Sequence, residues 1–177
     1  MGRRAALKGG EQEKTIEGRV ATEILAPRQL VWDLIKPAEN APLMEPTIAR
    51  GFRAEGTPRG AGEIQVFIHT LGGKEQVVAV EIVDEIAAEY SITRLIGGGQ
   101  NMPTTGYFLT DTSAGTRLEV RHRISFARHG GSYARHLISA YEESSRAMLQ
   151  RVKVITEHRW DIQSPGLRAW NGEPDED

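Results

Sequence analysis

A long amphipathic helix at the end of a chain that otherwise alternates like strands leaves few ways to fold. Ser132 to His158 carries an unbroken helical pattern after about a hundred residues of strand-like sequence. Tyr133, Leu137, Ala140, Tyr141, Ser144, Met148, Val152 and Ile155 recur at three- and four-residue steps and share one face, while Arg135, Glu142, Glu143, Arg146, Gln150 and Lys153 fall elsewhere. One side is therefore expected to be buried. At about 1.5 Å per residue the segment is ~40 Å long, and seven strands at ~4.8 Å spacing span ~29 Å. The helix is long enough to cross such a sheet.

The 177 residues suit one domain able to bury a sizeable core. The absence of cysteine excludes disulfides, thiolate metal ligands and cysteine nucleophiles. A formal charge of −2 carries no electrostatic footprint for nucleic acid, so no such partner is expected. Met1 to Gly10 contains Arg3 and Arg4 but no apolar signal-peptide core, and no apolar run approaches the ~20 residues of a membrane span. A soluble, cytoplasmic protein is the expectation. Residues 1–14 read as a flexible N-terminal segment, 15–160 as the folded domain and 161–177 as an acidic C-terminal tail with Pro165, Gly166, Gly172 and Pro174. Trp160 and Trp170 qualify that division, because two indoles in a solvated tail are costly unless at least one packs on the body or on a partner.

From Thr15 to Ile24 the pattern alternates, with Ile16, Val20 and Ile24 on one face and Glu17, Arg19 and Glu23 on the other. Pro27 then opens a helical stretch with an apolar stripe of Leu30, Val31, Leu34 and Ile35, and Pro37 and Pro42 break it into two short pieces. Six further strands are expected at Ile48–Glu55, Glu63–Thr70, Glu75–Val83, Ala88–Ile96, Thr104–Asp111 and Thr116–Ala127. Turn residues separate them: Thr57-Pro58-Arg59-Gly60, Gly72-Gly73 and Ser113-Ala114-Gly115. Short connections imply an antiparallel meander. The Gly97–Pro103 loop, with its run of three glycines, is the candidate gate.

The order strand, two short helices, six strands, long helix resembles the START-like superfamily (SRPBCC), the polyketide cyclase/dehydrase and lipid-transport group with its helix-grip fold. The resemblance covers about residues 15–158. Its local carriers are Ile24-Leu25-Ala26-Pro27-Arg28-Gln29-Leu30-Val31-Trp32, similar to the family's apolar-x-Ala-Pro-x-x-x-Val-Trp approach to the first helix, and Gly60-Ala61-Gly62 before a strand. The resemblance implies an α+β domain in which a seven-stranded curved antiparallel sheet grips the C-terminal helix around a cavity for an apolar or aromatic ligand. It implies no single activity, since its members include cyclases, lipid and quinone carriers, hormone receptors, chaperone activators and toxins.

Strand parity selects the polar residues that face such a cavity. In the last strand Leu118, Val120, Ile124 and Phe126 share a face with His122, while Arg117, Glu119, Arg121 and Arg123 take the other. His122 therefore faces inward. It suits a general acid or base that titrates near neutrality, and equally a core histidine satisfied by a neighbouring carbonyl or hydroxyl, the commoner fate of buried polar groups. Arg94 shares parity with Tyr90, Ile92 and Ile96. A guanidinium among apolar residues needs an anion or carbonyls, from a ligand or from an internal carboxylate; near a strand end its simplest arrangement is to reach water. Thr105, Tyr107 and Leu109 share a face of the sixth strand, so adjacent strands would bring Arg94, Tyr107 and His122 to one wall. Tyr133 and Tyr141 on the apolar face of the final helix, and Trp32 on the first helix, are core aromatics by spacing that would also suit an aromatic ligand.

These six residues are the ligand-binding candidates, and no catalytic residue is assigned. The Arg117, Arg121, Arg123, Arg128 and His129 cluster, interleaved with Glu119, reads as a solvated strand face rather than a phosphate site. No metal-ligand spacing, Gly-x-Ser-x-Gly elbow or phosphate-binding loop occurs, so neither a metal nor a cofactor is expected. The expected function is a carrier or sensor binding a small apolar or aromatic molecule, lipid, polyketide or quinone-like. The alternative is a polyketide cyclase or dehydratase in which His122 or Tyr107 moves a proton and Arg94 stabilises an enolate. A protein-interaction role for the tail tryptophans ranks third. Ligand identity and oligomeric state are not legible.

Overall fold

The computed structural model describes residues 14–97, 103–126 and 131–163, with side chains as far as residue 160. Most of the expected N-terminal segment, residues 98–102 of the candidate gate, Arg128, His129 and the tail with Trp170 lie outside the described residues. Strand β1 (Lys14–Ile24) leads to helix α1 (Arg28–Ile35), a 3-10 turn (Ala38–Asn40) and helix α2 (Ala41–Met44). Strands β2 (Ile48–Arg53), β3 (Ile64–Leu71), β4 (Lys74–Ile86), β5 (Tyr90–Leu95), β6 (Thr104–Thr112) and β7 (Gly115–Phe126) follow, and helix α3 (Gly131–Gln163) comes last. The strands form one antiparallel sheet in the order β1-β7-β6-β5-β4-β3-β2. From β2 to β7 it is a meander. β1 pairs along β7, from Lys14 opposite Phe126 to Ile24 opposite Thr116, and α1 and α2 carry the chain from one edge of the sheet to the other.

Local sequence explains the crossover. Pro27 holds an extended backbone that starts α1, and Val31, Trp32 and Leu34 face the core. Pro37 ends that helix and leads into the 3-10 turn, which lies directly on β2. Gly51 makes this contact possible, since a Cβ there would overlap the carbonyl of Ala38.

Helix α3 rests on β1 and β7, with α1 and α2 beside it, and faces the strands of the β3 side across a gap. It is held by two apolar clusters. Ile124 and Phe126 pack with Ala134 and Ile138 at its beginning; further on, Leu118 and Val120 join Val20, Trp32, Leu149 and Val152. Trp160 packs against this second cluster, which accounts for one of the two tail tryptophans. Gly18 on β1 sets the distance of approach: a Cβ there would come within 2.5 Å of Ile138 Cγ2 and 2.7 Å of Glu142 Oε1.

The buried line of α3 is Ala134, Ile138, Ser145, Leu149, Val152 and Thr156, with Tyr141 and Met148 half-buried beside it. This corrects the face read from the larger side chains. Tyr133 is 60% exposed, and Ala140 and Ser144 are exposed too. Tyr141, Met148 and Val152 belong to both faces, so the helix is rotated by less than one residue position, under about 100°, towards small and polar residues that hydropathy does not mark as core. Leu149→Ala should lower stability by about 2–5 kcal/mol in a urea titration, whereas Ala140→Lys should shift it by less than about 0.5 kcal/mol. A large loss from the second change would restore the face expected from sequence.

Candidate functional site

Because α3 covers only the β1–β7 side, the concave faces of β3 to β6 are left to enclose a cavity of about 390 Å³. Its walls are apolar where Ile35, Met44, Phe67, Val78, Val80 and Met148 contribute. Strand pairing sets the polar inner wall. Thr93 lies opposite Thr105, and Thr105 opposite His122, so their side chains form a row across β5, β6 and β7.

His122 is only 2% exposed and sits between the two apolar clusters. Its Nδ1 is 3.1 Å from Thr105 Oγ1 and its Nε2 is 2.8 Å from Ser145 Oγ on α3. The Tyr141 ring tilts against it with centroids 5.1 Å apart. Burial lowers the pKa of His122 below 6.5, against an opposing pull from the Glu142 charge, so the ring is neutral near pH 7. A neutral imidazole has one donor and one acceptor nitrogen, and the two hydroxyls satisfy both. The ring is thus a satisfied core histidine that also borders the cavity, with a hydroxyl chain rather than a bare nitrogen facing the space.

Tyr107 lines the same wall, its phenol pushed up to about 12 by burial and by the charge of Glu45. It remains a neutral hydroxyl. Tyr141 also borders the cavity, and burial followed by the proximity of Tyr133 raises its pKa. Trp32 lies in the main core, touching only a small annex of the cavity.

Two of the six expected residues are elsewhere. Tyr133 faces out from the first turn of α3 and does not border the cavity. Arg94 points to the convex face, its side chain 62% exposed and its Nη2 2.7 Å from Glu81 Oε2. Parity on β5 misled because the outer face of the sheet has apolar packing of its own: Tyr90 stacks on Phe108 at 5.9 Å, and the Arg121 guanidinium lies 4.1 Å from the Phe108 ring. The residues of β5 that face inward are Ser91, Thr93 and Leu95, two of them polar because they meet a cavity instead of a packed core.

Other cavity groups had only weak sequence signals. His69 shares inward parity with Gln65 and Phe67 on β3, and its Nδ1 is 3.5 Å from Thr47 Oγ1, which donates to Glu45 Oε1 at 3.2 Å. Next to the cavity, Lys36 Nζ lies 2.9 Å from Glu63 Oε2 and 3.4 Å from Glu85 Oε2. Gln65 Nε2 donates to Glu63 Oε1 at 2.8 Å and to the Lys36 carbonyl at 3.0 Å. Burial pushes the Glu63 carboxyl up, but the bonds from Lys36 and Gln65, the Lys36 charge and the Gly60 N–H together bring it below 4.5. A bulge after Ile82 turns Glu85 inward to this cluster. Among the described residues there is no group of side chains placed to hold a metal ion, and no helix long and apolar enough to cross a membrane.

This arrangement is the START-like helix-grip fold: a curved antiparallel sheet, a long C-terminal helix and a cavity between them. Solved structures agree. The di-domain aromatase/cyclase StfQ of the steffimycin biosynthetic pathway superposes with a TM-score of 0.69 at 15% identity, covering 82% of this chain and 51% of that one, so the chain spans about half the length of that protein. The Zhui aromatase/cyclase of Streptomyces sp. R1128 gives 0.64 at 17% identity over 88% of this chain and 99% of its own. A START superfamily protein of Mycobacterium smegmatis gives 0.59 at 14% identity, covering 80% and 98%. No known family profile and no curated protein matches the sequence. At these identities the likeness is one of fold.

The neutral, buried His122 predicts a pH dependence. Its folded pKa lies below the unfolded value of 6.5, so the unfolded chain takes up the proton first and stability falls as pH drops from about 7 towards 5. In His122→Gln, the fall in urea midpoint over that interval should be smaller than in the wild type. Parallel curves would mean that the ring titrates alike in both states.

Proposed function

We propose that the protein binds one small apolar or aromatic molecule in its internal cavity and acts as a carrier or sensor. The observation that carries this reading is the cavity of about 390 Å³, within the range of roughly 300–1,000 Å³ typical of small-molecule sites. Its lining combines apolar walls with a few polar groups held by their own hydrogen bonds, the pattern that gives orientation and specificity without a large electrostatic field. A lipid, polyketide or quinone-like molecule suits such walls. Binding as the main task also agrees with His122, whose ring nitrogens both already have partners.

A second reading is cyclisation or dehydration of a polyketide-like substrate. It is favoured by the fold neighbours that are themselves aromatase/cyclases. In that case Thr105 Oγ1, which borders the cavity and contacts His122 Nδ1, would relay a proton between substrate and ring, with the Tyr107 phenol as a hydrogen-bond donor to an enolate. Arg94 has no part in it, being on the outer face.

Native mass spectrometry of the purified protein should reveal a co-purified small molecule, and a neutral fluorescent apolar probe should bind with roughly micromolar affinity. A probe that stays free would end both readings. For a carrier, His122→Gln changes affinity about 2- to 10-fold through an altered hydrogen bond, with no turnover to lose. For a cyclase, the same change lowers product formation, followed by mass spectrometry, about 100-fold while affinity stays within a few-fold.

A further inference from the structure

Beside the main cavity, behind Tyr107 and Gln65, lies an annex of about 30 Å³ between α1 and the inner faces of β3 to β6. Ile35, Gln65, Thr93 and Tyr107 border both spaces, so the annex adjoins the cavity and a ligand in that cavity lies one side chain away from it. Its volume is more than the ~10–15 Å³ a cavity needs to hold a water molecule. It has room for a small polar group such as a hydroxyl or a carbonyl, and not for an aromatic ring.

Ser91 lines this recess at 4% exposure, and its Oγ has no hydrogen-bond partner among the described residues. Across the sheet Ser91 lies opposite Glu85 on one side and Tyr107 on the other. Glu85 Oε2 is likewise buried without a hydrogen bond, its nearest cation being Lys36 Nζ at 3.4 Å. Buried hydroxyls normally have partners, and one left unsatisfied is destabilising. An oxygen in the recess would supply that partner, as acceptor or donor, because a serine hydroxyl can act as either.

Charge decides what kind of oxygen fits. Lys36 is the cation of the annex, and it is shared by Glu63 and Glu85. Glu45 borders the main cavity, and Arg94 lies outside it. A carboxylate brought into the annex would lose its water and meet only Lys36, which Glu63 and Glu85 already share. A hydroxyl or carbonyl meets no such penalty. We infer that the annex is a subsite for one uncharged oxygen: the ligand is an apolar or aromatic body ending in a hydroxyl or carbonyl that reaches Ser91, and molecules ending in a carboxylate are rejected. This rests on the ligand-binding reading above and narrows it.

The test uses the full chain at about pH 7 with the neutral probe N-phenyl-1-naphthylamine, displaced in turn by naphthalene, 2-naphthol and 2-naphthoate. In the wild type 2-naphthol should displace the probe at ~3- to 10-fold lower concentration than naphthalene, and 2-naphthoate should need at least ~10-fold more than 2-naphthol. Ser91→Ala should abolish the advantage of naphthol over naphthalene without lowering the melting temperature, since it removes an unsatisfied hydroxyl. Glu45→Gln, which can still accept from Thr47, should narrow the gap between naphthol and naphthoate. Equal displacement by naphthol and naphthoate in the wild type overturns the inference. So does a naphthol advantage that survives in Ser91→Ala, which would make the annex the seat of a fixed water only. In both cases the probe has bound and the broader reading stands, whereas failure of the probe to bind removes the two together.

Discussion

The seating of α3 on β1 and β7 is the constraint from which the rest of the architecture follows. The helix comes close because β1 carries no side chain at Gly18, where a Cβ would collide with Ile138 and Glu142. Apolar clusters on either side of that approach clamp it, one around Ile124 and Ile138, the other around Val120 and Leu149. Between them His122 reaches Ser145 at 2.8 Å. A buried polar bond of this kind adds little net stability compared with the apolar packing, but its loss would strand two desolvated groups. It therefore fixes the register of the helix more than it supplies the energy to hold it.

A helix seated on one side of a curved sheet cannot cover the other side. The strands from β3 to β6 are left with an inner face that α1, the 3-10 turn, α2 and one side of α3 roof over without filling. Close packing would ordinarily fill such a space. Here small and polar inward residues, Thr93, Thr105 and Ser91, keep it open where larger aliphatic side chains would close it. The cavity and the departure of these strands from simple apolar alternation are thus one fact seen twice.

The ionisable groups show how little charge the interior tolerates. His122 is kept neutral and Tyr107 is pushed up to about 12, while the buried carboxylates of Glu63 and Glu85 are gathered on Lys36 at the margin. The arginines of β5 and β7 pair on the outer face, Arg94 with Glu81 and Arg121 with Glu119. A ligand bound in a cavity so arranged would be held by shape and a few hydrogen bonds more than by charge.

Local pattern was enough for the elements themselves. Alternation in β7 placed His122 inward, and the prolines at positions 27 and 37 bounded the first helix, because both signals depend on the chain's immediate neighbours. The helix-grip order could be read for the same reason. What the sequence alone could not decide was which of two partly apolar faces turns inward. On β5 the outer face holds Tyr90 and Ile92 and the inner face Ser91 and Thr93, so hydropathy pointed the wrong way for Arg94. On α3 the buried line runs through Ala134, Ser145 and Thr156, and Tyr133 is left outside. The bulge after Ile82 that turns Glu85 towards Lys36 has no local signature either. Hydropathy records how a side chain partitions between water and oil, whereas the orientation of these residues was set by what lay opposite them, a partner strand, a glycine gap or an unfilled space, and those exist only once the chain has folded.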